Sequence, residues 1–145
     1  MGSEMCIRDR FYTEPRTIQQ RTDWLHNRPA RYKVVVAEVA PTQPIVGWAA
    51  MDPWSEKHGY QITTEISYYV AAEFHGKGIG SQLVSRLIEV AKENNFRNLL
   101  AKICDNNTVS LKVARRFDFE CVGTLVQIGE KFGQSYDVHY FQKRL

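Results

Sequence analysis

Apolar and polar residues repeat along the chain with two periods, one typical of helices and one typical of strands. The helical period is clearest after residue 80, where apolar residues recur at 3.6-residue spacing at Leu83, Val84, Leu87, Ile88 and Ala91. Asn94 and Asn95 are expected to end this helix. A first helix is predicted from Thr13 to Pro29, with Ile18, Thr22 and Leu25 on one side. A third is predicted from the N-cap Asn107 through Phe117, with Val109, Val113 and Phe117 facing the core.

Six runs of β-forming residues are predicted to be strands. They are Lys33–Val39, Ile45–Met51, Gln61–Val70, Asn98–Ile103, Glu120–Ile128 and Tyr136–Phe141. The short turn between the first two predicts an antiparallel hairpin. Asp52 and Pro53 are expected to open a polar loop to Gly59, and residues Gly129–Ser135 are expected to form the last loop. The order of elements predicts an α/β (α+β) fold, in which a mixed sheet carries helices on both faces.

Composition narrows the class of protein. The 145 residues suit one domain, and 43% hydrophobic with 24% charged residues is ordinary for a globular protein. The net charge of +3 gives no argument for nucleic acid, and no apolar run approaches the ~20 residues of a membrane span. Cys6, Cys104 and Cys121 lack metal-ligand spacing and are expected to be buried free thiols in a reducing cytoplasm.

The first ten residues are interpreted separately. The segment Met1–Arg10 is charged throughout and has no apolar centre, so it does not have the pattern of a secretory signal. It resembles translated adapter or tag sequence. We therefore expect an artefactual leader at 1–10 and one domain at 11–145.

The chemistry is concentrated in the segment His75–Gly80, between the third predicted strand and the helix after it. Gly76, Gly78 and Gly80 allow a tight turn that exposes backbone N–H groups at a helix start, which favours phosphate binding, and Lys77 adds a cation. The simpler alternative is a glycine-rich connection without a ligand. A Walker loop fits less well because Lys and then Ser or Thr do not follow Gly80, and a dinucleotide fingerprint fits less well because Gly80 comes only two residues after Gly78.

At these residues the chain resembles the GNAT N-acetyltransferases. Their coenzyme motif is Gln or Arg, two residues, Gly, one residue, then Gly or Ala, and His75, Gly78 and Gly80 occupy those positions. Residues 107–111 and 116–119 resemble the second coenzyme-side helix. Residues 122–138 resemble the tail of the phosphinothricin and methionine-sulfone acetyltransferases. The likeness covers residues 11–145 and implies a mostly antiparallel sheet that lacks the first strand and first helix of its relatives.

The resemblance implies that acetyl-CoA is the co-substrate. Its pantetheine arm is expected to lie beside Tyr68, Tyr69 and Val70 like an added strand. Its pyrophosphate is expected on the loop and helix start formed by His75, Gly76, Lys77, Gly78, Ile79, Gly80 and Ser81. Asn107 and Arg116 match further coenzyme contacts. The plainer alternatives are a helix cap for Asn107 and a solvated helix face for Arg116.

Glu65 matches the catalytic base that the family uses through water. The resemblance implies direct attack of a neutral primary amine on the thioester in a ternary complex, and such amines are mostly protonated at neutral pH. Backbone N–H groups near Tyr69 and Val70 are expected to polarise the thioester carbonyl. The alternative for Glu65 is an outward-facing residue on a half-exposed strand. Gln61 and Thr63 are expected to contact the acceptor.

Two departures qualify the resemblance. Ala114 replaces the Tyr or His that could protonate the leaving thiolate, so another group serves or the thiolate leaves unprotonated. Gln61 replaces an Arg that would grip an amino-acid carboxylate, and a neutral amide cannot make that charge-assisted fork.

Three functions follow as hypotheses. The first is an N-acetyltransferase for a small amino-acid-like amine; the others are a non-catalytic acyl-CoA-binding module or inactive fragment, and a protein or peptide N-acetyltransferase. The resemblance also implies a homodimer, and the free thiols indicate a cytoplasmic protein. No metal, nucleic acid or membrane partner is expected.

Overall fold

The computed structural model describes residues 14–40 and 44–145, and within them three helices and six strands follow the predicted order. The helices are α1 (Ile18–His26), α2 (Ile79–Glu93) and α3 (Thr108–Arg116). The strands are β1 (Val34–Glu38), β2 (Ile45–Pro53), β3 (Thr63–Val70), β4 (Asn98–Cys104), β5 (Glu120–Lys131) and β6 (Gln134–Arg144). Short 3₁₀ turns at His58–Tyr60 and Ala72–Phe74 flank β3. The predicted leader lies outside the described residues and stays a prediction.

The strands form one sheet in the order β1-β2-β3-β4-β6-β5. β3 and β4 are parallel, because α2 connects them as a crossover, and every other neighbouring pair is antiparallel. The predicted mixed, mostly antiparallel sheet is therefore confirmed, as is the β1–β2 hairpin.

α2 supplies much of the core. Its apolar stripe is buried as predicted, and Asn94 ends the helix. Gly47 on β2 makes this packing possible, because a Cβ there would lie 2.7 Å from the Tyr69 carbonyl oxygen and 3.1 Å from Leu83 Cδ1. The glycine lets the helix and the neighbouring strand approach closely.

α1 lies on the opposite face of the sheet. Thr17 and Gln20 form a capping box at its start, so the helix begins later than the predicted Thr13, which lies outside the described residues. The rings of Trp24 and Trp48 are 5.4 Å apart and tie the helix to β2. Because α1 and α2 pack on opposite faces, the prediction of helices on both faces is confirmed.

The prediction that a polar loop begins at Asp52 is wrong. β2 continues through Asp52 and Pro53, and Asp52 is buried. The reason is Arg28 after α1, whose Nη1 lies 3.1 Å from Asp52 Oδ1 and which also donates to the carbonyl of Met51. The Asp52 carboxylate, which the sequence predicted to lie in a loop, is therefore part of a buried ion pair on the sheet.

Val109 was predicted to face the core, and this is wrong. Its side chain is 63% exposed, whereas Val113 and Phe117 pack against the core as expected. Val109 stands in the first turn of α3 and lines a surface cavity described below.

The last hairpin is longer than predicted. β5 and β6 extend through most of the expected Gly129–Ser135 loop and are joined by Phe132 and Gly133, with φ of 52° and 74°. Two positive φ values are the signature of a type I′ turn, which suits the twist of paired strands. Cys104 is buried, but Cys121 on the edge strand β5 is exposed, contrary to expectation.

Two further expectations concern membrane-spanning helices and metal sites. In residues 14–40 and 44–145 no helix is long and apolar enough to cross a membrane. The same residues contain no group of three or more His, Cys, Asp or Glu side chains placed to hold a metal ion.

Candidate active site

The sheet opens between β3 and β4. In the described part of the chain the two strands pair at three positions only, and the last of these joins Glu65 to Leu100. From Ile66 to Val70, β3 continues beside β2 without pairing to β4. A strand with one open edge can accept an extended ligand as an additional strand, as predicted for Tyr68 to Val70.

A narrow inner cleft of about 40 Å³ lies at this opening. It is lined by residues of β3, β4 and α3, among them Ser67, Tyr68, Lys102, Asn107, Ser110 and Ala114. The Tyr68 hydroxyl lies 2.9 Å from the Ser110 hydroxyl, and the Asn107 side chain caps α3 by accepting from the Ser110 N–H. Asn107 is therefore a helix cap that also lines the cleft, and its contact with the coenzyme stays a prediction.

The glycine loop leads from β3 into α2. Gly76 and Gly78 have φ of 75° and 77°, in the left-handed region where a side chain is strained. Gly78 is the N-cap of α2 and provides no side-chain cap, so the first N–H groups of a 15-residue helix face outward. Such a helix start attracts anions through its N–H groups and its dipole.

An outer cavity of about 230 Å³ lies over this loop. It brings together most of the predicted phosphate residues, and it is lined by Tyr68, Val70, His75, Gly76, Gly78, Ile79, Gly80 and Ser81, with Phe74, Val109 and Val113. Gly80 allows α2 to approach the sheet here, since a Cβ would lie 3.0 Å from Tyr68 Cε2. Tyr68 also lines the inner cleft, so the two cavities share a wall.

His75 and Lys77 occupy the loop differently from each other. His75 Nε2 lies 2.8 Å from the carbonyl oxygen of Val70, which can only accept, so Nε2 carries the proton. This hydrogen bond fixes the loop to the end of β3. The Lys77 ammonium lies 5.0 Å from the ring centroid of Phe74, a residue of the outer cavity.

Arg116 extends the cationic rim of the outer cavity. Its guanidinium Nη1 donates to the Ser81 hydroxyl at 3.2 Å, although the two residues lie on different helices. Ser81 lines the cavity, so the exposed guanidinium reaches its edge. A cation and a helix start at one cavity suit a diphosphate.

Glu65 stands at the other end of the opening. Its Oε2 lies 3.1 Å from Lys102 Nζ, and the Glu65 side chain is 16% exposed. It is therefore not the outward-facing glutamate of the plainer alternative. The register pairs Glu65 with Asp52, which places both on the face of the sheet that also carries Ser67 and Tyr69.

Aromatic rings stand on both sides of this carboxylate. The Lys102 ammonium lies 5.2 Å from the Trp54 ring and 5.9 Å from the Tyr140 ring, and those rings meet edge to face. On the β2 side, Trp48 stacks on Tyr69 at 6.3 Å. Trp54, which follows β2 in the segment predicted to be a polar loop, thus lies over the Glu65–Lys102 pair.

The two predicted acceptor residues lie in different settings. Thr63 is on β3, on the Glu65 face, and receives a 3.5 Å hydrogen bond from Asn98 Nδ2. Gln61 is exposed and precedes the strand, where its N–H closes the turn to His58. The structure therefore brings Thr63, but not Gln61, into the row of residues beside Glu65.

Three residues of this site were not recognised in the sequence. Lys102 lies between the apolar residues Ala101 and Ile103 of β4, and a charged residue at such a position could have indicated a functional site. Ser67 lies midway between Glu65 and Tyr69, and alternate residues of a strand lie on one face, so this spacing could have indicated Ser67. Tyr140 becomes relevant only through the β4–β6 register, which pairs it with Lys102.

The arrangement is that of a two-substrate site. A ligand with a diphosphate in the outer cavity and an extended arm along β3 would reach the inner cleft. Glu65 lines neither cavity, but it is paired with Lys102, which lines the inner cleft, so its carboxylate stands beside this region as a possible proton acceptor. Ala114 is buried and lines the inner cleft, so the position predicted to lack an acid does face this region.

Comparison with known proteins agrees with this geometry. The profile of the acetyltransferase (GNAT) family matches residues 4–119. The phosphinothricin N-acetyltransferase of Streptomyces coelicolor is 35% identical over 137 residues, which is 93% of this chain and 80% of that protein.

Solved structures give the same result. The crystal structure of a ribosomal-protein-alanine N-acetyltransferase from Brucella melitensis has a TM-score of 0.87 and 37% identity, covering 93% of this chain and 83% of its own. A GNAT superfamily phosphinothricin acetyltransferase from Sinorhizobium meliloti, solved in complex with acetyl-CoA, has a TM-score of 0.78 and 27% identity, covering 88% and 68%. The likeness predicted from the motifs is confirmed.

Proposed function

The chain belongs to the GNAT family of acetyltransferases, and we propose that it transfers the acetyl group of acetyl-CoA to the primary amine of a small amino-acid-like molecule. The observation that carries this proposal is the opening between β3 and β4. It begins beyond the Glu65–Leu100 pair and follows β3 to Val70, before the glycine loop of α2. Phosphate binding at the loop end of this opening and amine deprotonation at the Glu65 end are the two tasks that the proposal assigns to it.

The residues around the outer cavity fit the coenzyme end. The loop surface is open at Gly76 and Gly78, because a Cβ at either position would have no neighbour within 4 Å. The N–H groups of α2 and the guanidinium of Arg116 supply the donors that a pyrophosphate requires. Asn107 is proposed to contact the arm, and the open edge of β3 to pair with it.

Glu65 is proposed as the base. As the neutral amine nitrogen attacks the thioester carbonyl carbon, a new C–N bond forms and the C–S bond breaks with its electron pair on sulfur. The proton lost from nitrogen passes to the Glu65 carboxylate through a bridging water. Backbone N–H groups near Tyr69 and Val70 are proposed to stabilise the oxyanion.

A small acceptor is supported by the way the site is enclosed. Trp54 and Tyr140 lie over the Lys102 side of Glu65, and Trp48 and Tyr69 stand on the other. Aromatic walls with few polar groups are typical of pockets for small molecules. The phosphinothricin N-acetyltransferase relatives are named for such an acceptor.

The experiment is a thiol-release assay with acetyl-CoA and a panel of amino acids and their analogues. Turnover is expected with at least one free amine, and Glu65→Gln is expected to lower kcat/KM about 10²- to 10⁴-fold. Acetyl-CoA binding by the Glu65→Gln variant should be unchanged in calorimetry. Tight coenzyme binding without thiol release from any amine contradicts the proposal and favours the non-catalytic module.

A second candidate is acetylation of a protein or peptide N-terminus. It is favoured by the likeness to a structure named as a ribosomal-protein-alanine N-acetyltransferase. Competition between alanine-starting peptides and free amino acids in the same assay separates the two acceptor classes. A peptide with the higher kcat/KM supports the second candidate.

The proposal includes a homodimer in the cytoplasm. β5 is an edge strand whose apolar side chains are exposed, notably Val122, Val126 and Ile128, and a second copy is the proposed partner. Exposed free Cys121 suits a reducing compartment.

A further inference from the structure

The Ser67 hydroxyl is a buried polar group without a hydrogen-bond partner. Ser67 is 9% exposed, and its Oγ is the one buried side-chain nitrogen or oxygen in residues 14–40 and 44–145 that has none. Buried polar groups nearly always have a partner, so an exception points to a role outside the free protein. By contrast, the Tyr68 and Ser110 hydroxyls in the same cleft are hydrogen-bonded to each other.

Ser67 stands where the two proposed substrates meet. It lies two residues beyond Glu65, the last residue of β3 paired to β4, so both side chains emerge on one face about 6.6 Å apart along the strand. Lys102 lines the inner cleft with Ser67 and holds the Glu65 carboxylate at 3.1 Å. The carboxylate is therefore turned towards the opening on which Ser67 lies.

We propose that Ser67 is a second catalytic residue, whose hydroxyl accepts a hydrogen bond from the acceptor amine and relays the amine proton towards Glu65. This inference rests on the proposed function. A hydroxyl suits the task because it accepts and donates at once, and a water is assigned the bridge to Glu65 because the two residues are about 6.6 Å apart along the strand.

The amine nitrogen forms its bond to the carbonyl carbon and transfers one proton to Ser67 Oγ, while the Ser67 proton passes through the water to a Glu65 oxygen. The C–S bond breaks and its electron pair leaves with the sulfur. Ser67 ends neutral, Glu65 ends protonated, and the products are the amide and the coenzyme thiolate.

The test compares Ser67→Ala with Ser67→Thr and with the control Ser85→Ala on α2, outside the cleft. Ser67→Ala is expected to lower kcat about 10- to 100-fold, with the KM for acetyl-CoA and the Tm unchanged, because the chain itself makes no hydrogen bond to this hydroxyl. Ser67→Thr, which keeps the hydroxyl, should recover most of the lost rate. Ser85→Ala should match the wild type.

Each other outcome is decisive. An unchanged kcat in Ser67→Ala overturns the relay while the proposed function stands. A raised KM for acetyl-CoA at unchanged kcat assigns the hydroxyl to coenzyme binding and overturns it also. A clearly lower Tm or loss of folded protein in Ser67→Ala, with a normal rate in Ser67→Thr, shows a structural role. No turnover by the wild-type protein with any amine removes both proposals.

Discussion

Glu65, at the last paired position of β3, forms an ion pair with Lys102, two residues beyond its β4 partner Leu100, with 3.1 Å between Oε2 and Nζ. The Lys102 side chain is 30% exposed and the Glu65 side chain 16%, so water screens the pair in part. We infer that the pair mainly orients the carboxylate, because partly exposed ion pairs add about 0–1 kcal/mol to stability.

Lys102→Met is therefore expected to lower kcat/KM less than tenfold, against about 10²- to 10⁴-fold for Glu65→Gln. Its free energy of unfolding should change by no more than about 1 kcal/mol. Steady-state kinetics and urea unfolding measure the two effects. If Lys102→Met is as inactive as Glu65→Gln, Lys102 contacts a substrate directly.

Gly78→Ala tests the glycine loop. The left-handed φ of 77° is expected to cost about 1 kcal/mol of stability, since space for the methyl group is available but the backbone angle is strained. Acetyl-CoA affinity should also fall, because the methyl group enters the outer cavity. The control is Gly59→Ala, which adds a methyl group with no neighbour within 4 Å and without a positive φ. Equal stability of the two variants in urea would contradict the strain argument.

Asn107 allows its cap and its proposed coenzyme contact to be separated. Asn107→Ala is expected to lose about 1 kcal/mol, because the N-cap acceptor for Ser110 N–H is removed. Asn107→Ser retains a capping oxygen and should keep most of that stability. Both variants should bind acetyl-CoA more weakly in calorimetry, since neither has the amide. Normal affinity in Asn107→Ser would reduce Asn107 to a helix cap.

Much of the fold could be predicted because its signals are local. The stripe of α2 and the glycine spacing each lie within one element, so sequence alone placed them correctly. The partners of Asp52 and Glu65 lie 24 and 37 residues away, on Arg28 and Lys102. Those pairings depend on strand register and helix packing, which a local pattern does not contain.

Arg28→Met tests the buried pair that holds α1 to β2. Both side chains are 9% exposed, and the substitution removes the guanidinium charge beside the buried Asp52 carboxylate. A loss of about 3 kcal/mol in the free energy of unfolding is expected.

Arg86→Met is the matched control for that variant. The hydrogen bonds that Arg86 donates to Glu89 and then Glu93 raise the pKa of Arg86, but the pair is on the surface. Stabilisation from a raised pKa is fully present below the ordinary pKa of arginine, so this guanidinium adds no pH dependence in the usual range, and solvent screens the exposed pair. No measurable change in the free energy of unfolding is expected. A loss equal to that of Arg28→Met would show that burial of the ion pair does not cause the destabilisation.

Val126→Glu tests the homodimer. Val126 is 71% exposed on the edge strand β5, and a charge there should disfavour pairing with a second copy. Sedimentation velocity is expected to show monomer for Val126→Glu and dimer for the wild type. Ile18→Glu, 87% exposed on α1, controls for added charge and should remain a dimer. A monomeric wild-type protein would remove the proposed interface.

The opening between β3 and β4 also has a mechanical consequence. In residues 44–145 three paired positions join the β1–β3 half of the sheet to the β4–β6 half, so a coenzyme bound along β3, as proposed, would lie along the seam between them. Because a ligand that binds only the folded state stabilises it in proportion to the logarithm of its concentration, the supply of coenzyme sets how firmly the halves hold together. Amide protons of β4 and β6 should then exchange with solvent more slowly as the acetyl-CoA concentration rises, so the rigidity of the sheet should follow the coenzyme concentration.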